Sequence, residues 1–194
     1  MCDSADATTS GSTGDSTAIL GALLRAAPFK ETALVNIVDP QAVAQAIEAG
    51  VGATVTVEVG GSLAPNCFEP ITFSGHVKTI SDGTFTFKGP GMRGVPHHMG
   101  RTVVLVDGGI HLVVMERGVS QWDPQLYRCL GQEPADARMV QVKSPMAFRA
   151  AYEGIFDEVI VVAAPGAASP DLKSLPWVRV PRPIYQLDPE TAWP

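Results

Sequence analysis

The sequence predicts an α/β fold: a mixed sheet with flanking helices plus an inserted, mostly antiparallel β subdomain. Two observations lead there. The chain opens loop, helix, strand, helix, and returns to that alternation after residue 119, the order of an α/β layer. Between them, residues 53–118 switch to a two-residue alternation with tight-turn signals, the pattern of antiparallel strands. The layout follows: 1–52 and 119–164 form the α/β layer, 53–118 the β-rich part, and 165–194 a proline-rich tail.

Each element has a local reason. Ile19, Leu20, Leu23 and Leu24 share one face of a helix over Ala18 to Ala27, which Asp15 or Ser16 can cap and Pro28 ends. Thr32 to Val38 reads as a buried strand. Asp39-Pro40 starts a helix, with the carboxylate at the N-cap and proline in the first turn, and Gly50 stops it. Ala53 to Val59 alternates as a half-buried strand. Ile71 to Ile80 is the next, and Asp82-Gly83 is a turn from which Thr84 to Lys88 returns. Arg101 to Val106, Asp107-Gly108-Gly109 and Ile110 to Glu116 form the clearest hairpin. Asp123-Pro124 opens a helix that Gly131 closes. Arg138 to Val142 is a strand, Pro145 to Glu153 a helix and Glu158 to Ala163 a strand. In α/β folds a glycine-rich loop normally leaves the end of a strand. Only a few residues precede this one, so that strand is expected to be lacking or to lie in sequence outside this chain.

Bulk properties narrow the function. Hydrophobic residues make up 45% of the 194 and charged residues 18%, a globular composition. The net charge of −6, without a basic stripe, argues against nucleic acid. No apolar run approaches the ~20 residues of a membrane helix. Three scattered cysteines, with no signal peptide, suit a cytoplasmic protein without disulfides.

The strongest local signal is Ser10-Gly11-Ser12-Thr13-Gly14-Asp15-Ser16-Thr17 at a helix start. Glycines free the backbone, and hydroxyls and N–H groups gather where the helix favours a negative group. The segment reads either as the rim of a substrate pocket or as a capped helix after a loop. It lacks the lysine of a phosphate-binding P-loop. Lys143-Ser144 ends a predicted strand, where α/β proteins place ligands, and Arg149 follows on the next helix. They read as an anion-binding cluster or as solvated charges. His97 and His98 are adjacent, and neighbours on an extended segment point to opposite faces. Zinc needs three or four ligands together, and no spacing of His, Cys, Asp or Glu here provides them. No G-x-S-x-G nucleophile elbow occurs.

These pieces together resemble the carboxy-terminal region of MlrC-type proteins, a family named for a bacterial peptidase that degrades linearised microcystin. Ala5 to Thr17 resembles the family loop A-D-x-x-x-x-G-x-x-G-D-S-T. Asp39-Pro40 with Ala49-Gly50-Val51-Gly52-Ala53, Val59-Gly60-Gly61, and Asp82-Gly83 with Lys88-Gly89-Pro90 follow in order. So do Met99-Gly100-Arg101-Thr102, Val142-Lys143-Ser144, Phe148-Arg149-Ala150 and Ala164-Pro165-Gly166. The form A-D-A-T-T-S-G departs from the A-D-N-P-G-G-G of some members, consistent with another substrate. The resemblance implies a zinc-dependent hydrolase of amide bonds in peptides or related molecules. It implies zinc on a larger amino-terminal domain or subunit, outside this chain, so the chain is expected to be a fragment or split subunit. On that reading Asp6, Gly11, Gly14, Asp15, Ser16, Lys143, Ser144 and Arg149 bind substrate or the facing domain. No residue here is catalytic, and none holds a metal. The alternative is a stand-alone, non-catalytic module for a small anion or a protein partner.

Overall fold

The computed structural model describes residues 1–192. Its elements are α1 (Ala18–Ala26), β1 (Ala33–Val38), α2 (Pro40–Ala49), β2 (Thr54–Val59), β3 (Ile71–Ser81), β4 (Thr84–Thr86) and β5 (Pro96–His98). They continue as β6 (Thr102–Asp107), β7 (Ile110–Met115), α3 (Gln125–Arg128), β8 (Met139–Val140) and α4 (Phe148–Ala151). Six strands form one mixed sheet in the order β2-β3-β6-β7-β1-β8, and β4 and β5 form a small antiparallel sheet. β1 runs parallel to β7 and β8, and the other pairs of the large sheet are antiparallel.

Alternation along the strands builds two cores. One face sends Val35 and Ile37 of β1, Val103 and Leu105 of β6, and Leu112 and Val114 of β7 against α1 and α2. The opposite face sends Leu34, Val38, Val104, Val113 and Met115 against the β4–β5 pair, α3 and α4, with Phe85, Phe87, Trp122, Tyr127 and Phe148 between. β1 is therefore buried along its whole length. β2 and β3 alternate instead, because only the helical layer covers them.

The local signals act as their chemistry dictates. Asp39 accepts from Gln41 N and Ala42 N at 3.0 Å, with Pro40 in the first turn and Gly50 closing α2. β6 and β7 join through Gly108-Gly109, and Gly108 takes φ +53°, as a two-residue hairpin turn requires.

Elsewhere the structure corrects the sequence reading. Asp82-Gly83 does not fold β4 back onto β3. Both edges of β3 are taken, by β2 and β6, so β4 pairs with β5. Of the two expected caps of α1, Ser16 Oγ accepts a long bond from Ala18 N at 3.4 Å, and Asp15 takes no part. Thr17 is its N-cap, without a side-chain bond, and the Asp15 carboxylate serves a different loop. The predicted helix over 145–153 shortens to α4. The predicted strand over 158–163 reduces to one bridge, Cys2 to Val161, because it meets only a short segment of chain. The strand expected to be lacking before the glycine-rich loop, or to lie outside this chain, is replaced by that short segment: Cys2 bridges Val142 and Val161 in parallel, and Asp3 N donates to Val142 O at 2.9 Å. After a single 3₁₀ turn at Leu172–Ser174 the described tail has no regular element.

Candidate functional site: a loop pinned by a buried ion pair

Residues 3–17 leave the Cys2 bridge, loop over the end of the sheet and enter α1. Asp6 sits under this loop, fully buried. One of its oxygens accepts from Ser12 Oγ at 2.7 Å and Gly14 N at 2.9 Å, the other from Ser16 N at 2.8 Å. The second oxygen also meets Lys143 Nζ at 2.5 Å. Lys143 follows β8 and is likewise fully buried, and it donates again to Gly14 O at 2.8 Å. One carboxylate and one ammonium thus hold both backbone groups of Gly14. That residue takes φ +81°, and a Cβ there would stand 2.8 Å from Thr8 Cγ2 and Val38 Cγ2. Only glycine satisfies both demands.

Asp15 extends the clasp. Its Oδ2 accepts from Leu63 N at 2.8 Å and Ala64 N at 3.0 Å, its Oδ1 from the Thr13 hydroxyl, and its carbonyl from Gly61 N at 3.0 Å. The loop after β2 is therefore tied to the glycine-rich loop. Asp39 adds a bond to Gly60 N at 2.9 Å.

Beside the ion pair lies a polar interior. Asn36 Nδ2 donates to Tyr127 Oη at 2.8 Å, and Tyr127 Oη donates to Gln141 O at 2.7 Å. Burial pushes the Tyr127 hydroxyl well above its ordinary pKa. Asp3 is fully buried, and its Oδ2 lacks a hydrogen-bond partner. Burial raises its pKa above the ordinary carboxylate value, Lys143 opposes this, and Asp6 reinforces it. Asn36 Oδ1, Gln121 Oε1 and Gln141 Nε2 are buried without partners as well.

Of the eight residues singled out by sequence, Asp6, Gly14, Ser16 and Lys143 meet in one bonded cluster, and Asp15 adjoins it. Ser144 is buried next in sequence, its carbonyl accepting from Cys2 Sγ at 2.9 Å. Gly11 and Arg149 are exposed, Gly11 at the loop tip and Arg149 over the Phe148 ring.

The exposed side of the loop faces an open cleft of about 400 Å³, where Thr8 and Thr9 meet His97, His98 and Ser120. His97 packs edge-on against Phe87, 4.5 Å between ring centroids, while His98 Nδ1 lies 3.0 Å from Thr84 Oγ1. No local motif gives the two histidines a role, and none singles out Thr8, Thr9 or Ser120. The cleft forms only because β5 pairs with β4 beside the loop, and no local motif encodes that pairing.

Among the described residues no three His, Cys, Asp or Glu side chains are placed to hold a metal ion. No helix among them is long and apolar enough to cross a membrane.

Its matches to known proteins place this chain among the domains of a peptidase family. It superposes on a protein of Mesorhizobium sp. BNC1, whose crystal structure is provisionally described as a metallopeptidase, with a TM-score of 0.85 and 28% identity. The match covers 99% of this chain and 38% of that one. The chain belongs to the MlrC C-terminus family, whose model matches residues 1–179. It is 29% identical over 164 residues to Microcystinase C of a Sphingomonas species, covering 84% of this chain and 31% of that protein. The chain thus spans about a third of the length of these relatives.

Proposed function

We propose that this chain supplies one wall of the substrate cleft of a zinc-dependent amide or peptide hydrolase, with zinc held by an amino-terminal domain or subunit. The observation that carries this reading is the pinned loop. A family loop is fixed in place by a buried Asp6–Lys143 pair while its Thr8–Gly11 tip stays partly or fully exposed beside an open cleft. Charges buried at such cost support a surface whose shape must be held.

In this reading Asp6, Gly14, Asp15, Ser16 and Lys143 are positioning residues. Asp6 and Lys143 have no exposed surface and act through the loop backbone. Thr8, Thr9 and Gly11, with His97 and His98 opposite, orient a peptide-like substrate or the facing domain. Ser144 supports the strand end, and Arg149 offers an exposed cation. In such enzymes zinc activates water and polarises the scissile carbonyl. The residues of this chain bind and orient and carry out no proton transfer.

The test is to incubate the 194-residue chain with zinc and a library of linear peptides and follow cleavage by mass spectrometry. The chain alone should show no turnover above background. Robust turnover abolished by a chelator would overturn the assignment of the metal to another domain. The stand-alone binding module would gain if the chain bound a peptide tightly at this cleft with no amino-terminal partner present.

A further inference from the structure

A second concavity, of about 140 Å³, opens where the β4–β5 connection meets α3 and α4. Its charged lining is three cations and one carboxylate: Lys88 and Arg93 from the connection, Arg128 from α3, and Asp123. The carboxylate is already satisfied, because Asp123 accepts from Gly89 N at 2.7 Å, Gln125 N at 2.9 Å and Lys88 N at 3.2 Å. Arg128 is held in place by Glu133 through Nε at 2.7 Å and Nη2 at 2.8 Å. The side chains of Lys88 and Arg93 have no hydrogen-bond or ion-pair partner among the described residues. With Arg128 paired to Glu133 and Asp123 offsetting one further cation, the hollow keeps a net positive charge in a chain whose net charge is −6. The Gln125 amide nitrogen, at the same wall, is buried without an acceptor. A buried donor without a partner is penalised, and an oxygen ligand that reaches it removes that penalty.

We propose that this hollow binds a tetrahedral oxyanion, a phosphate or the phosphoryl group of a monoester, through Lys88, Arg93, Arg128 and the Gln125 amide. Its volume is under half of the ~300 Å³ at which sites for whole small molecules begin. The anionic group enters, and the rest of a larger ligand stays in solvent. Guanidinium and ammonium donors with a neutral amide suit phosphoryl oxygens, and Arg128 is oriented by its two bonds to Glu133. The inference is independent of the hydrolase reading, since it concerns other residues and is read by binding, not turnover.

The experiment is thermal unfolding of the 194-residue chain with inorganic phosphate, with glycerol 3-phosphate, and with sodium chloride at matched ionic strength. A saturable rise in melting temperature with phosphate and not with chloride is expected. An equal response to both phosphates marks free phosphate as the ligand, and a tighter response to the monoester marks a phosphorylated compound. Lys88→Ala with Arg93→Ala should weaken the apparent affinity by at least about tenfold, while Lys88→Arg should keep it. Both side chains are exposed, so neither change threatens the core. Absence of a saturable response, an equal effect of chloride, or full binding by the double variant would each overturn the proposal.

Discussion

Replacing Lys143 by methionine keeps the unbranched apolar stem of the side chain and removes its charged end. The Asp6 carboxylate then remains fully buried with three neutral donors, Ser12 Oγ, Gly14 N and Ser16 N, and Gly14 O loses an ammonium partner. Breaking a buried pair from one side costs roughly 3–5 kcal/mol. A domain's whole stability is about 5–15 kcal/mol, so the variant gives up roughly a fifth or more of it. At about 2–4 °C per kcal/mol for a chain of this size, the melting temperature should fall by roughly 6–20 °C. Urea unfolding should show a lower midpoint at unchanged slope, which separates lost stability from a changed unfolded state. The decisive comparison is Asp6→Asn combined with Lys143→Met. With both charges gone the double variant should be more stable than Lys143→Met alone, with a coupling of about 1–3 kcal/mol. If the single variant loses less than ~1 kcal/mol, the pair behaves as a surface bridge and the pinned-loop argument fails. Strict additivity of the two changes would also sink it.

Two further outcomes follow from neighbouring carboxylates. Burial raises the Asp3 pKa, so its proton is bound more tightly in the fold than in the unfolded chain. Its stabilising contribution is complete below the unfolded value of 3.8 and is lost as pH rises through the raised folded value. Asp3→Asn should therefore lose less stability than the parent as pH rises above 3.8, and identical curves in pH-dependent urea unfolding would count against the buried acid. Asp15→Ala removes the acceptor for Leu63 N and Ala64 N. It should cost about 1–3 kcal/mol and speed hydrogen exchange at those two amides; unchanged protection there would show that Asp15 does not tie the loops.

The legible parts of this molecule are those whose causes are close in sequence. Asp39-Pro40 announces α2 because cap and first turn are adjacent, and Gly108-Gly109 announces the β6–β7 turn because only such residues tolerate its backbone. β1 betrays its burial on both faces by an apolar run interrupted only by Asn36. The β4–β5 pairing was illegible because three-residue strands carry little alternation, and their partnership depends on β3 being occupied on both sides. Asp6 and Lys143 were each visible as candidates, but their bond spans 137 positions. A faint signal existed in their settings, Ala5-Asp6-Ala7 and Val140-Gln141-Val142-Lys143, where a charge interrupts small or apolar neighbours. Lysine and aspartate in such company are rarely fully buried unless paired, and each implies the other. The cleft needed more: Thr8, Thr9, His97 and Ser120 come from three separated segments, and only the folded backbone assembles them.

The clasp at Cys2 bears on how the molecule comes into being. Its backbone is held between Val142 and Val161, so the opening residues find their seat only after some 160 positions have left the ribosome. Until then the glycine-rich segment has neither its flanking strands nor its lysine, and closing so long a stretch is slow. The hairpin β6–β7 and the α2 turn can form early and locally, whereas the surface of the pinned loop is completed last. A nascent chain would thus present that surface only when nearly the whole domain stands behind it.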